Sequence, residues 1–171
     1  IELLYYLKIN KATFLGLSNG GRVISKLAYL NPNLVKKLIY VSASSFYESK
    51  KTSINNVTEN EIQDFINTQY PTISKGQLLD FKYPGNYPNW DDKYEKLLKY
   101  KGFARALIST RKNHISLDKE NLLINEINLP VYTVWGESDS AVVYNDFKEN
   151  LNKVLPNMFE YFVPDSGHLP N

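Results

Sequence analysis

The sequence predicts an α/β fold, a parallel sheet with flanking helices and a mainly helical insertion between its second and third strands. Three observations point there. An apolar run, Ala12–Leu17, passes through a glycine-rich turn into a stretch of helical spacing, Arg22–Leu30, and then into a second apolar run, Leu34–Val41. Strand, helix, strand at this interval is a crossover unit, and such crossovers set the strands parallel. The same order returns near the C-terminus, where Leu129–Gly136 and Met158–Val163 flank a helical stretch from Asp146 to about Leu155. Between these two blocks no segment reads as a core strand.

Taken in order, Ile1–Leu7 reads as the end of an amphipathic helix with Ile1, Leu3, Leu4 and Leu7 on one face. It starts in mid-pattern with no capping residue, so the sequence is expected to begin inside a longer domain. Lys8–Lys11 is the turn into the first strand. The helix after that strand stops at Asn31-Pro32, because the residue before a proline avoids helical geometry. The second strand runs into the small polar segment Ser42-Ala43-Ser44-Ser45.

From Phe46 the composition shifts to Lys, Asn, Ser, Tyr and Pro. Thr58-Glu59-Asn60-Glu61 is a capping box opening a helix through Ile62, Phe65 and Ile66, which Tyr70-Pro71 is expected to end. Tyr83–Trp90 is an aromatic, turn-rich loop. Asp91-Asp92 is expected to cap a further helix through Tyr94, Leu97, Leu98 and Tyr100, interrupted by Gly102 before Phe103–Ile108. Leu122-Leu123-Ile124 and Ile127 close the insertion. The expected division is a first core segment over 1–45, a helical insertion over 46–126 and a second core segment over 127–171.

Composition narrows the functional classes. The 171 residues suffice for one domain with a real core. Twenty Lys and Arg stand against eighteen Asp and Glu, a net charge of +2, and the lysines are interleaved with acids. This is not a nucleic-acid footprint. The absence of cysteine excludes disulfide scaffolds, thiolate metal sites and cysteine nucleophiles. No apolar run is long enough to span a bilayer, and a cytoplasmic location is the expectation.

The chemistry centres on Gly16-Leu17-Ser18-Asn19-Gly20-Gly21. A bare Gly-x-Ser-x-Gly arises by chance in roughly one in twenty chains of this length, so its context decides its weight. Here it joins a strand to a helix, which puts Ser18 at the apex of a tight turn. Such a turn forces the serine backbone into strain and presses helix start against strand end. Gly16 and Gly20 are therefore expected to require the absence of a Cβ. The Asn19 backbone N–H would lie at a helix N-terminus, suited to a developing oxyanion. Downstream, Trp135-Gly136-Glu137-Ser138-Asp139 follows the third strand and Asp165-Ser166-Gly167-His168 follows the fourth. Ser18, Asp139 and His168 thus stand at the C-terminal ends of three parallel strands, the edge where active sites of open α/β sheets collect.

These three motifs, in the chain order Ser, Asp, His, resemble the nucleophile, acid and histidine motifs of the α/β-hydrolase superfamily. The resemblance covers nearly all of the chain outside the insertion, and three motifs in order are far more specific than one. It is closest to the small cap-bearing esterases, lipases and carbon–carbon bond hydrolases, with the insertion falling where that family carries its cap. The resemblance implies a partial α/β-hydrolase fold, cut at both ends. It lacks the upstream strands and the His-Gly loop that supplies the family's second oxyanion donor, so this stretch alone is expected to be inactive even where the whole protein is an enzyme.

The expected activity is serine hydrolysis of a carboxylic ester or similar small acyl substrate through Ser18, His168 and Asp139, with no cofactor and no metal. A serine at the elbow, rather than an aspartate, disfavours dehalogenase and epoxide hydrolase chemistry. The alternatives are a non-catalytic ligand-binding module of the same fold, and carbon–carbon bond or peptide hydrolysis. Glu137 and Asp146 are rival acids, read as surface residues. His114 is read as a surface or cap-packing residue, Trp135 as core, and Tyr83, Tyr87 and Trp90 as cap packing. Oligomeric state carries no sequence signal.

Overall fold

A computed structural model describes residues 1–51 and 53–170. The chain divides into two compact units, one formed by Ile1–Glu48 with Ser116–Asn171 and the other by Ser49–Ile115.

The first unit is built on four parallel strands, β1 (Ala12–Leu17), β2 (Val35–Val41), β3 (Val131–Gly136) and β4 (Phe159–Val163), in the order β1-β2-β3-β4. Leu38 lies opposite Phe14 and Val131, and Tyr40 opposite Gly16 and Thr133. Since side chains alternate along a strand, Phe14, Leu38, Tyr40, Val131, Thr133 and Trp135 share one face. That face holds the core. Helices α2 (Asn19–Leu30), α6 (Asp118–Glu126) and α7 (Lys148–Val154) cover it through Ile24, Ala28, Ile124, Leu151 and Val154, all buried. Tyr40 is sealed among them, and its hydroxyl meets Ser25 Oγ at 2.8 Å. Burial holds its phenol well above the usual value, with the Ser25 hydrogen bond acting against that rise. The opposite face carries Leu15, Phe159 and Tyr161, each more than half exposed.

Helix α1 (Glu2–Tyr6) forms as expected but buries none of its residues; Leu3 and Leu7 are exposed. Helix α7 is preceded by a short 3-10 turn at Tyr144–Asp146, so it starts two residues later than its sequence pattern suggests.

The second unit is helical. Helix α3 (Glu59–Gly76) opens with the expected capping box, Thr58 accepting from the Glu61 N–H and Glu61 from the Thr58 N–H. The helix does not end at Tyr70: Pro71 lies inside it. A proline removes one helical donor and crowds the preceding turn, but does not forbid continuation when flanking turns hold the helix. Helix α4 (Trp90–Leu98) starts after Asn89 in the left-handed conformation, so Asp91 and Asp92 sit in its first turn rather than cap it. Gly102, φ 89°, separates α4 from α5 (Phe103–Lys112). Arg105 donates to the Val57 carbonyl and Lys112 Nζ to Glu61 at 2.6 Å, tying α5 to the entry of α3. The hydrogen bonds from Lys112 and Thr58 pull the Glu61 carboxyl down to about 2.

The compact helical unit is narrower than the 46–126 segment read from composition. Phe46 and α6 belong with the sheet, where Phe46, Asn121 and Ile124 are buried. Composition registers the loss of strand character at Phe46, but not that a buried aromatic and an amphipathic helix on either side of the insertion serve the core.

Position within this sheet sets the expected cost of truncation. Leu38→Ala, at a fully buried central site, should lower unfolding free energy by about 2–5 kcal/mol in urea titration. Leu15→Ala, at 61% exposure on β1, should change it by no more than about 0.5 kcal/mol.

Candidate functional site

The turn after β1 is as tight as its sequence implies. Ser18 adopts φ 51° and ψ −121° and stands at the N-terminal boundary of α2. Three main-chain hydrogen bonds hold it there. Its N–H donates to Val41 O at 2.9 Å, and its carbonyl accepts from Gly21 N at 3.1 Å and from Ser44 N at 3.2 Å. A serine at this boundary commonly caps the helix with its side chain, but Ser18 Oγ does not. Asn19 is the first residue of α2, so its N–H is among those a helix leaves without an intrahelical acceptor.

The glycines around Ser18 divide differently from the sequence expectation. A Cβ on Gly16 would come within 2.5 Å of Gly20 O and 2.6 Å of Gly21 N, so Gly16 must stay bare. A Cβ on Gly20 would meet nothing within 4 Å. The second required glycine is Gly21, whose Cβ would lie 2.5 Å from Ala43 Cβ and 2.6 Å from Ser45 Oγ. The small residues after β2 are thus explained: Ala43 and Ser45, both fully buried, lie where α2 begins against the sheet.

Asp139 and His168 are brought into direct contact. His168 Nδ1 and Asp139 Oδ2 are 2.9 Å apart, with side chains only 8% and 4% exposed. Asp139 Oδ1 accepts from the Ala141 and Val142 N–H groups at 2.9 and 2.8 Å, which fixes the plane of the carboxylate. Burial alone would raise the Asp139 pKa. The His168 hydrogen bond, the Val142 and Ala141 N–H groups and the His168 charge outweigh it, and the net shift is downward. Of the rival acids, Glu137 and Asp146 are both exposed. Trp135 is core, as read from the sequence, and His114 lies in the helical unit, half-buried, its carbonyl accepting from Ser49 Oγ.

The loops carrying Asp139 and His168 are locked together by main chain. Ser138 N donates to Ser166 O at 2.8 Å and Glu137 N to Val163 O at 3.1 Å. They approach so closely over Gly136 that a Cβ there would fall 2.0 Å from Gly167 O. Gly136 is a site residue the sequence reading passed over; the signal was a glycine closing a buried strand just before the acid turn. Ser18, Asp139 and His168 all follow strand C-termini, so all three stand at one edge of the sheet. A cavity of about 220 Å³ lined by Asn125, Pro130, Val131 and Phe159 lies at the strands' opposite ends. Among the described residues no group of three His, Asp or Glu is gathered for a metal ion, and no helix is long and apolar enough to cross a membrane.

A family model for the alpha/beta hydrolase fold matches residues 2–171. The chain belongs to the α/β-hydrolase fold family. Solved structures similar to it include a bromoperoxidase from Bacillus anthracis, with TM-score 0.68 and 17% identity, covering 98% of this chain and 64% of the other. A thermophilic esterase from Thermogutta terrifontis matches with TM-score 0.71 and 18% identity, over 98% and 62%. A 2-hydroxy-6-oxo-6-phenylhexa-2,4-dienoate hydrolase from Rhodococcus sp. strain RHA1 matches with TM-score 0.69 and 15% identity, over 97% and 60%. This chain therefore spans less than two thirds of the length of each. A search of curated protein sequences finds no match.

Two outcomes follow from this α/β-hydrolase edge. Gly136→Ala should separate the acid and histidine loops or lower stability by about 1–3 kcal/mol, read by urea titration and by hydrogen exchange at Ser138. Because the folded pKa of Asp139 is depressed, its stabilising contribution is complete above about pH 4 and is lost as pH falls through the lower folded value. The stability difference between the protein and its Asp139→Asn variant should therefore shrink on acidification below about pH 4.

Proposed function

We propose that the protein is a serine hydrolase acting on a carboxylic ester or related small acyl substrate, with Ser18 as nucleophile, His168 as general base and Asp139 as its carboxylate partner. The observation that carries this reading is the buried Asp139–His168 hydrogen bond, formed at the sheet edge that also bears the strained Ser18.

The roles follow from which atoms are engaged. Asp139 faces Nδ1 of His168, and in the proposed mechanism the free Nε2 exchanges a proton with Ser18 Oγ. A neutral serine hydroxyl is a weak nucleophile until an adjacent base takes its proton. Oγ then bonds to the acyl carbon, the carbonyl π electrons pass to oxygen, and the Asn19 N–H stabilises that oxyanion. Collapse expels the alcohol, protonated by His168, and leaves an acyl group on Ser18. Water, deprotonated by the same imidazole, releases the acid and restores the serine. Asp139, held anionic by its two N–H donors, keeps the imidazole in the required tautomer and stabilises its charged form. No cofactor takes part in these steps. The helical unit is read as the family's cap from its place in chain order alone.

The test is turnover of a short-chain aryl ester by the whole protein that carries this chain and by its Ser18→Ala variant. The variant should lose roughly 10⁴- to 10⁶-fold in kcat with its fold intact. Undiminished hydrolysis in Ser18→Ala would overturn the assignment, and tight ligand binding without turnover by the unmodified protein would favour a binding module.

A further inference from the structure

Glu160 lies on β4 opposite Thr133, on the same face as Trp135 and one diagonal step from it. It receives two hydrogen bonds. Trp135 Nε1 donates to Oε1 at 3.0 Å, and the Tyr144 hydroxyl donates to Oε2 at 2.9 Å. Trp135 is 1% exposed and fixed in the core, so the carboxylate is pinned to β3 through one oxygen. Through the other it holds Tyr144, the residue at which the acid loop re-enters regular structure.

That loop runs from Gly136 to Tyr144 and carries Asp139. At its start it is tied by main chain, through Glu137 to Val163 and Ser138 to Ser166. In its middle it is tied to itself, through Asp139 Oδ1 and the N–H groups of Ala141 and Val142. Its far end is held by Tyr144. The Tyr144 ring packs at 5.6 Å from Trp135 and 5.0 Å from Phe162, between centroids, and Lys148 Nζ lies 5.8 Å above it. Burial, the hydrogen bond to Glu160 and the Glu160 charge push the phenol up to about 12, so it is a donor throughout the neutral range.

We infer that Glu160 and Tyr144 are positioning residues: their hydrogen bond braces the far end of the acid loop and so sets the direction in which Asp139 presents its carboxylate to His168. This deepens the serine hydrolase reading and rests on it for its kinetic consequence. Neither side chain touches substrate in that mechanism; each acts through Asp139.

The experiment compares the protein with Tyr144→Phe, Glu160→Gln, Glu160→Ala and the double variant Tyr144→Phe/Glu160→Ala. Tyr144→Phe keeps the ring and removes only the hydroxyl. It should lower kcat for a short aryl ester about tenfold with KM unchanged, the scale of a catalytic group held slightly out of place. Glu160→Gln, which keeps an acceptor oxygen, should retain more activity than Glu160→Ala. The double variant should be no slower than Glu160→Ala, because both changes break one connection. Losses that multiply in the double variant, or wild-type kcat in Tyr144→Phe, would overturn the brace. If Glu160→Ala does not fold, Tyr144→Phe carries the test. A second readout needs no turnover: the low-field proton resonance of His168 Nδ1–H, assigned by its absence in His168→Gln, should move or broaden in Tyr144→Phe. An unmoved resonance contradicts the brace even if the protein hydrolyses no ester, and a moved one supports it in that same case.

Discussion

Ser18 holds φ 51° and ψ −121°, a backbone shape that costs a residue bearing a Cβ on the order of 1–3 kcal/mol, and the sheet unit is arranged to impose it. Parallel pairing of β1 with β2 supplies the acceptor for the Ser18 N–H, and the segment after β2 returns Ser44 N to the Ser18 carbonyl. The bare Gly16 lets the start of α2 press against the end of β1, and Gly21 lets that helix settle on Ala43 and Ser45. The strain at one residue therefore explains why small residues cluster on two successive connections.

The other end of the edge follows a different logic, close approach without backbone strain at Asp139 or His168. Asp139 and His168 come from adjacent strands, and their loops are joined by main-chain hydrogen bonds over a glycine with no room for a side chain. Burial would neutralise an isolated carboxylate. Here two N–H donors and the imidazole more than offset that tendency, and Asp139 is held toward its ionised form. The brace through Glu160 and Tyr144 extends the same principle one layer outward.

Much of this was legible in the sequence because it is local. Strand, tight turn and helix lie within twenty residues around Ser18, and the acid and histidine each follow a strand within five residues. The capping box at Thr58 and the break at Gly102 were readable for the same reason. What was not legible depends on partners distant in the chain. The need for Gly21 rather than Gly20 is set by Ala43 and Ser45, more than twenty residues on. Phe46 and α6 belong to the core because of what they pack against, and composition does not encode that. Continuation of α3 through Pro71 departs from a rule that the adjacent residues alone suggest. Glu160 gave no signal at all, since its role appears only when β4 lies beside β3 and brings it to Trp135 and Tyr144.

The central claim is that Ser18 is a nucleophile made reactive by a His168 that Asp139 holds in place. A serine-directed fluorophosphonate, followed by peptide mapping, tests it most directly on the protein and on its His168→Ala variant. The account predicts an adduct on Ser18 that is lost when His168 is replaced. Labelling of Ser18 at an equal rate without His168, or no adduct on Ser18 in a protein that still turns over esters, would contradict it.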